Sequence, residues 1–203
     1  MAKIKALIFD LGNCTIGFDH RIGVRKILEF TAKSEKEIYD FFFNSPLTQD
    51  FERGKYPPED FFNSVKTALN LRMGYGEFVP VWSEIFFSLP EMEGFIKSLP
   101  GGLKRILLSN INILHYQYIE SEFSATLSLF DKIIASYTTG FIKPERQIYD
   151  LAIAAAGEDL ESIIYVDDRL DLIEAARGYG INSIQFQGVD NLRQEFKKAG
   201  VNG

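Results

Sequence analysis

The sequence predicts an α/β fold in which helices cover both faces of a doubly wound parallel sheet. Short apolar runs recur along the chain, helical patterns separate the later runs, and a block of helices interrupts the order after the first run. The runs lack polar alternation, as strands that are buried on both faces of a parallel sheet do. The predicted strands cover residues 6–9, 105–108, 132–135, 163–166 and 183–186.

The clearest helical pattern, PERQIYDLAIAAAG, covers residues 144–157, between the third and fourth predicted strands. Pro144 suits the first turn of a helix and Gly157 suits its end, and the apolar residues between them recur at helical spacing. Strands and helices alternate from about residue 100 to the end of the sequence. This alternation predicts the doubly wound arrangement.

The stretch from residue 17 to residue 90 contains helical patterns with no strand pattern between them. A capping box of Ser34 and Glu37 begins the first helix, and Pro58 begins the second. We expect a third helix over residues 76–90.

This break divides the predicted fold into two parts. Residues 1–16 and 91–203 form the α/β core domain, and residues 17–90 form a helical domain inserted after the first strand. The insert is rich in aromatic residues, which we expect to build its own hydrophobic core rather than a ligand site. These residues are Phe41, Phe42, Phe43, Phe61, Phe62, Trp82, Phe86 and Phe87.

The composition excludes several classes of function. The chain has 22 lysine and arginine residues against 28 acidic ones, a net charge of −6, and no basic stripe that would indicate a nucleic-acid partner. No apolar stretch approaches the roughly 20 residues that cross a bilayer, so we expect no membrane partner. Cys14 is the one cysteine, which excludes a disulfide framework and fits a reducing compartment. We expect a cytoplasmic protein, and the sequence leaves open whether it is a monomer or a homodimer.

Six polar residues lie where the predicted strands end or the following helices begin. They are Asp10, Ser109, Asn110, Lys143, Asp167 and Asp168. Each has a structural explanation by itself, because an aspartate caps helices, a Ser-Asn pair forms turns, and Lys-Pro is common at a helix start. In an open α/β sheet, however, ligands bind beyond the carboxyl ends of the strands. Three carboxylates at that edge would repel one another, which implies a hard cation such as Mg²⁺.

With these residues in this order, the chain resembles hydrolases of the haloacid dehalogenase superfamily, of the type with a helical cap (subfamily IA). The first of the four family motifs is Asp10-Leu11-Gly12-Asn13-Cys14, and the others contain Ser109, Lys143 and the Asp167-Asp168 pair. The segments FDLGN, FERGKYPPEDF and KPERQIY are similar to a branch that includes α-D-glucose-1-phosphate phosphatase. The resemblance implies a Rossmann-like core with residues 17–90 as the cap. It also implies a Mg²⁺-dependent phosphatase for a small phosphorylated metabolite, with a sugar 1-phosphate as the first candidate.

The resemblance further implies the roles of four residues in phosphoryl transfer. Asp10 would attack phosphorus as the nucleophile and form an aspartyl-phosphate, which water then hydrolyses. The Ser109 hydroxyl and the backbone N–H of Asn110 would bind phosphate oxygens. Lys143 would place its positive charge against the same phosphoryl group and against Asp10.

The implied ligands of Mg²⁺ are the side chains of Asp10, Asp167 and Asp168 and the backbone carbonyl of Gly12. The metal would offset the repulsion between the attacking carboxylate and the phosphate. We expect Gly12 to permit the sharp turn that directs its carbonyl to the metal.

The chain departs from the family pattern at two positions. Gly12 stands where most phosphatases of the superfamily keep a second aspartate, the general acid and base. Without that acid, esters whose leaving groups need little protonation, such as sugar 1-phosphates and aryl phosphates, should react better than sugar 6-phosphates. The sequence leaves open whether His20 or a metal-ordered water supplies the proton instead. Leu172 stands where relatives carry an aspartate or asparagine, and we expect Asp171 to cap the following helix.

Two other functions stay open at this point. A hydrolytic 2-haloacid dehalogenase also uses an aspartate nucleophile and also lacks the second aspartate, but it needs no metal. The Asp167-Asp168 pair therefore favours the phosphatase. A non-catalytic protein that binds phosphorylated ligands would account for the absent acid, but not for the completeness of the remaining site.

Overall fold

The computed structural model describes residues 3–201, apart from the side chain of Asn44. The strands are β1 (Ala6–Asp10), β2 (Ile16–Phe18), β3 (Phe86–Ser88), β4 (Lys104–Ser109), β5 (Lys132–Ala135), β6 (Ile163–Asp167) and β7 (Ser183–Gln185). The helices are α1 (His20–Leu28), α2 (Glu35–Asn44), α3 (Pro46–Glu52), α4 (Pro58–Leu69), α5 (Tyr75–Ser83), α6 (Pro90–Ser98), α7 (Ile113–Glu122), α8 (Ser124–Leu127), α9 (Ser136–Thr139), α10 (Arg146–Ala156), α11 (Leu170–Gly178) and α12 (Val189–Lys198). Within this part of the chain, no helix has both the length and the apolar character needed to cross a membrane.

Five strands form one parallel sheet in the order β5-β4-β1-β6-β7. The chain first builds outward from β1 through β4 and β5, and then returns to the other side of β1 for β6 and β7. Every residue of this central strand is buried. The prediction of a doubly wound parallel sheet is confirmed, and each predicted strand ends within one residue of an observed one.

Both faces of the sheet are covered by helices. Successive side chains of a strand point to opposite faces, so Leu7 and Phe9 pack with α6 and α12, whereas Ala6 and Ile8 pack with α10 and α11. Burial on both faces explains why the strand sequences show no polar alternation. The same two-residue step from Ala6 and Ile8 places Asp10 on the side that α10 covers.

Helices α1–α5 pack around a separate hydrophobic core. Phe51 and Phe61 stack within it with ring centroids 4.0 Å apart, and both side chains are fully buried. The antiparallel pair of β2 and β3 joins the chain segments that enter and leave these helices. The predicted capping box of Ser34 and Glu37 begins α2, and Pro58 begins α4. The treatment of residues 17–90 as a cap domain, and of residues 1–16 and 91–203 as the core domain, stays a prediction.

The predicted third helix, over residues 76–90, is present but shorter than expected. Helix α5 ends at Ser83, and Phe86–Ser88 forms β3 against β2. The pair Phe86-Phe87 favours an extended backbone once a partner strand is available, and that partner lies far away in the sequence.

The aromatic residues assigned to the core of the insert divide into two groups. Five are buried in that core or pack against it, namely Phe41, Phe42, Phe61, Phe62 and Trp82. The other three do not belong to it, because Phe43 and Phe87 are exposed and Phe86 packs against the core of the sheet.

Phe61→Ala should lower the free energy of unfolding by roughly 3–5 kcal/mol, because it removes a buried ring and leaves a cavity beside Phe51 and Trp82. Urea unfolding followed by circular dichroism measures this loss. Phe87→Ala is the matched control, since this ring is 46% exposed. Its expected loss is under about 1 kcal/mol. Equal losses in the two variants would contradict the assignment of the insert's core.

Candidate active site

The candidate site lies at the carboxyl edge of the sheet, where β4, β1 and β6 end side by side. Asp10 is the last residue of β1, Asp167 is the last residue of β6, and Ser109 is the last residue of β4. The side chains of Asp10 and Asp167 leave their strands on the same face, because each follows residues that pack with α10 and α11 by two-residue steps. Strand geometry alone therefore brings the two carboxylates together.

Lys143 joins these carboxylates from the segment that precedes α10. Its buried Nζ donates to Oδ1 of Asp10 at 2.5 Å and to Oδ2 of Asp167 at 2.7 Å. The side chain of Asn110 holds the backbone of Lys143, because it accepts from the N–H at 2.7 Å and donates to the carbonyl at 3.0 Å. Asn110 thus fixes the position of the lysine, while the expected contact of its backbone N–H with phosphate stays a prediction.

The two aspartates of the Asp167-Asp168 pair have different surroundings. Asp167 is fully buried, and its carboxylate accepts hydrogen bonds from Lys143, from the Tyr165 hydroxyl and from the backbone N–H of Arg169. Asp168 is half-buried, and no side chain within residues 3–201 donates a hydrogen bond to its carboxylate. Of the two, Asp168 has the oxygens that are free for another ligand.

Burial and charge oppose each other in this cluster. Burial raises the pKa of Asp10 to about 7, although the ammonium of Lys143 lowers it. Burial also raises the pKa of Asp168, and the neighbouring Asp167 carboxylate adds to this effect. For Lys143, burial lowers the pKa, but the two carboxylates outweigh it and the net direction is upward. One oxygen from each aspartate lies within 4.8 Å of the others, so one cation can contact all three.

The turn after β1 differs from the expectation for Gly12. The residue with a left-handed backbone is Asn13, at φ 53°, and Gly12 lies outside that region. A Cβ at position 12 would lie 2.5 Å from Cε1 of Phe18, so a side chain there would require this ring to move. The side-chain oxygen of Asn13 accepts from the N–H of Phe18 at 3.1 Å and so holds the two residues together.

The expectation that Asp171 caps the next helix is wrong. Helix α11 begins at Leu170 with Arg169 in the N-cap position, and Asp171 lies in its first turn. Nη2 of Arg169 pairs with Oδ2 of Asp171 at 2.6 Å. A carboxylate in the first turn still suits the helix dipole, which explains the residue without a role in capping. Leu172 is buried.

A cavity of about 320 Å³ lies above the carboxylates, between the edge of the sheet and helices of the insert. All the residues predicted for the site line it, namely Asp10, Gly12, Ser109, Asn110, Lys143, Asp167 and Asp168. The opposite wall is largely apolar and includes Phe18, Val24, Ile27, Phe42, Trp82 and Phe86. Four polar residues of the insert interrupt it, namely His20, Thr48, Gln49 and Glu52.

The sequence analysis considered His20 but missed Thr48, Gln49 and Glu52, which belong to α3. That helix starts at Pro46 after the N-cap Ser45, a start signal that the sequence does contain. Nothing in the sequence indicates which side of so short a helix faces the cavity.

The chain is similar to known hydrolases over most of its length. The model of the haloacid dehalogenase-like hydrolase family matches residues 4–180. The sesquiterpene phosphatase of Aspergillus oryzae is 25% identical over 181 residues, which cover 87% of each protein. The D-ribitol-5-phosphate phosphatase of Bacteroides thetaiotaomicron is 23% identical over 199 residues, which cover 95% of this chain and 96% of that protein. The drimenol cyclase of Aspergillus calidoustus is 23% identical over 197 residues, but the chain spans only 36% of its length.

Solved structures share the fold. A haloacid dehalogenase family enzyme from Bacteroides thetaiotaomicron superimposes with a TM-score of 0.83 at 19% identity, covering 96% of this chain and 99% of that one. The same enzyme in complex with magnesium and inorganic phosphate gives a TM-score of 0.77 at 20% identity, with 90% and 93% of the two chains covered. At these identities the likeness concerns the fold alone.

Lys143→Met should lower the free energy of unfolding of the metal-free protein by roughly 3–5 kcal/mol at about pH 8, because Asp10 and Asp167 stay buried without their cation. The loss should be smaller at about pH 5. The pKa of Asp10 is already raised to about 7 and rises further in the variant. The folded variant therefore keeps the proton on Asp10 at pH 5, and it loses stability as the pH increases and this proton dissociates.

Urea unfolding in the presence of a chelator at the two pH values measures this difference. Lys97→Met, at a lysine with an exposed side chain, is the control and should change stability by under about 0.5 kcal/mol. A loss in Lys143→Met that does not depend on pH would mean that packing, not charge, is what the lysine contributes.

Proposed function

The chain belongs to the haloacid dehalogenase-like hydrolases, and on this basis we propose that it is a Mg²⁺-dependent phosphomonoester hydrolase. Its substrate is a small phosphorylated metabolite, and its reaction passes through an aspartyl-phosphate at Asp10. The observation that carries the proposal is the cluster of three carboxylates around one lysine at the floor of the cavity. The phosphatases among its relatives support the proposal.

The carboxylate cluster fits a hard divalent cation. Oδ2 of Asp10 and the carboxylate of Asp168 accept no hydrogen bond from a described side chain, whereas Asp167 accepts two from side chains and one from a backbone N–H. Asp10 and Asp168 would therefore hold Mg²⁺, together with the carbonyl of Gly12 that the family resemblance implies, and Asp167 would serve chiefly to orient Lys143. When bound, Mg²⁺ offsets the repulsion between the attacking carboxylate and the phosphate oxygens. The magnesium and phosphate complex of the Bacteroides enzyme supports this choice of metal.

Four residues of this chain carry the phosphoryl transfer. One carboxylate oxygen of Asp10 attacks phosphorus, and the ammonium of Lys143 holds the carboxylate in place through Oδ1. The Ser109 hydroxyl and the backbone N–H of Asn110 hold the non-bridging phosphate oxygens. The fixed positive charge of Lys143 acts where negative charge moves during transfer, so it stabilises the transition state more than the bound substrate.

The carboxylates also distinguish the phosphatase from its rivals. A 2-haloacid dehalogenase displaces halide from carbon without a metal, so it has no use for a free Asp168 carboxylate beside the nucleophile. A protein that only binds phosphorylated ligands has no use for a buried aspartate whose second oxygen is left open to the cavity. Both features have a function in metal-assisted phosphoryl transfer.

A sugar phosphate, and a sugar 1-phosphate in particular, is the first candidate substrate. Polar residues of the insert that line the cavity, namely His20, Thr48, Gln49 and Glu52, would lie opposite the hydroxyl groups of a bound sugar. The anomeric leaving group also needs less protonation than an ordinary alcohol.

The phosphate ester of an apolar alcohol is a second candidate. The wall opposite the carboxylates consists mainly of aromatic and aliphatic side chains, among them Val24, Ile27 and Phe42. Such a wall would bury an aryl or prenyl group with a gain of about 25 cal/mol per Å². The sesquiterpene phosphatase among the relatives supports this candidate.

One screen separates these possibilities. Release of inorganic phosphate is measured from sugar 1-phosphates, sugar 6-phosphates, aryl phosphates and prenyl monophosphates, with Mg²⁺ and with a chelator. Release that requires metal supports the phosphatase, and the preferred ester identifies the substrate class. Halide release from 2-chloropropionate, or tight binding of the esters without turnover, would overturn the proposal in favour of one of the two rivals.

Asp10→Asn should reduce turnover by roughly a thousandfold or more, because an amide of the same shape is not a nucleophile. The fold should be unchanged by circular dichroism, since the substitution removes a buried charge without changing the size of the side chain. Asp171→Asn, at an exposed aspartate that pairs only with Arg169, is the control and should keep full activity. Retention of a tenth of the activity in Asp10→Asn would show that Asp10 is not the nucleophile.

Mg²⁺ should raise the melting temperature more at about pH 8 than at about pH 5.5. The pKa of Asp10 is about 7 without metal, so at the lower pH the metal must displace a proton, and each pH unit costs about 1.4 kcal/mol of binding. Differential scanning fluorimetry with MgCl2 and with NaCl of equal ionic strength measures the effect. Asp168→Asn should reduce the shift at both pH values. Equal shifts in wild type and Asp168→Asn would exclude Asp168 as a ligand.

A further inference from the structure

The segment FERG, residues 51–54, connects the hydrophobic core of the helical insert with the cavity. Phe51 is fully buried in the core of the insert, and the next residue, Glu52, lines the cavity above the carboxylates. Glu52 is also the last residue of α3, so the chain leaves the helix immediately after it. Each residue of the segment therefore faces a different surface.

The two following residues hold this segment against the core. Arg53 forms a two-fold ion pair with Glu145, with Nη1–Oε2 at 2.8 Å and Nη2–Oε1 at 2.7 Å. Gly54 has a left-handed backbone, at φ 72°, and a Cβ there would lie 2.2 Å from the carbonyl oxygen of Tyr137. Only glycine allows this close approach. Glu145 lies two residues after Lys143, so the ion pair connects Glu52 to the segment that carries the catalytic lysine.

A hydroxyl group connects Glu52 to the other phosphate-binding segment. Ser136 donates its Oγ–H to the carbonyl of Glu52 at 2.6 Å and accepts from the backbone N–H of Ile111 at 2.9 Å. Ile111 directly follows Ser109 and Asn110 in the chain. The backbone of Glu52 is thus fixed relative to both segments to which phosphate binding is assigned above.

The Glu52 carboxylate takes no part in the contacts that hold the Glu52 backbone. Its backbone is bonded to Ser136, but no group within residues 3–201 donates a hydrogen bond to its carboxylate oxygens. A half-buried carboxylate that has no partner and stands on a fixed backbone requires a functional explanation. The same cavity is lined by Gly12, the position at which the family carries its acid.

We propose that Glu52 is the general acid and base of the reaction, in place of the aspartate that the family carries at position 12. This proposal rests on the phosphatase function proposed above. As Asp10 attacks, the bond between phosphorus and the leaving oxygen breaks, and that oxygen takes the proton of the Glu52 carboxyl. The resulting Glu52 carboxylate then takes a proton from water, whose oxygen attacks the phosphorus. The bond to Asp10 breaks, inorganic phosphate leaves, and Glu52 is again protonated.

The charges around Glu52 suit this role, and those around His20 do not. Burial raises the pKa of Glu52 to about 7, while Arg169, Lys143 and Arg53 oppose the rise. Glu52 is therefore protonated in a large fraction of molecules at neutral pH, which is the condition for a general acid. Burial lowers the pKa of His20 to about 4, so that its ring is neutral at pH 7 and is a far weaker acid than a protonated carboxyl group. With Glu52 as the acid, the rate of the wild-type enzyme should depend only weakly on the pKa of the leaving group. The strong dependence expected from the glycine at position 12 should therefore not be observed.

The test is Glu52→Gln, which keeps the shape of the side chain and removes its proton. The rate of leaving-group release in a single turnover, with Mg²⁺, isolates phosphorylation of Asp10 across esters of graded leaving-group pKa. For alkyl phosphates we expect a loss of about 10²–10⁴-fold, and for p-nitrophenyl phosphate, which needs no proton, a loss of less than about tenfold. In wild type the alkyl rate should fall as pH rises above about 7, and this dependence should be absent in Glu52→Gln.

His20→Gln is the matched control, because His20 lines the same cavity and could supply the proton instead. Its rates should change by a similar factor for all esters. Equal losses for all esters in Glu52→Gln, or a steep leaving-group dependence that arises in His20→Gln alone, would overturn the role of Glu52 and leave the phosphatase function intact. A wild-type enzyme that does not hydrolyse p-nitrophenyl phosphate with Mg²⁺ would overturn both.

Discussion

The buried ammonium of Lys143, held between Asp10 and Asp167, is the interaction on which the rest of the site depends. It connects three parts of the chain that are remote in sequence, and it forms only if β1 and β6 are neighbours that end at the same level. A charge buried in this way destabilises the protein unless its partners are in place, so the contact that holds Asp10 also favours the arrangement in which β1 and β6 are neighbours.

Much of this arrangement could be predicted because its signals are local. An apolar run followed by a polar residue marks both a strand and its end, and the two-residue step of a strand decides that Asp10 and Asp167 share a face. What could not be predicted depends on partners that are distant in the chain. Phe86 is extended because it pairs with Phe18, and the ring of Phe18 lies beside Gly12 only once that pairing has formed.

Glu52 illustrates the same limit at the level of function. The sequence shows a glutamate at the end of a short segment between helices, which is most often a solvated surface residue. Its position over the carboxylates results from the ion pair between Arg53 and Glu145 and from the hydroxyl of Ser136, which act across 92 and 84 residues of the chain. Arg53 and Glu145 lie in FERGKYPPEDF and KPERQIY, two of the segments that carry the family resemblance, but nothing in either segment indicates that the two side chains pair. A residue that is placed by long-range contacts becomes visible only once the fold is known.

If Glu52 is the acid, its location on the insert, rather than on the turn after β1, has a consequence for specificity. An acid at position 12 would be fixed to the nucleophile by the intervening Leu11 alone, and every ester that reached Asp10 would meet it. An acid at position 52 lies on the wall that also surrounds the organic part of the substrate. The leaving oxygen then meets its proton donor only when the substrate fills the space between that wall and the carboxylates. If Glu52 supplies the proton, the fit of the substrate to the insert controls the chemical step and not only binding.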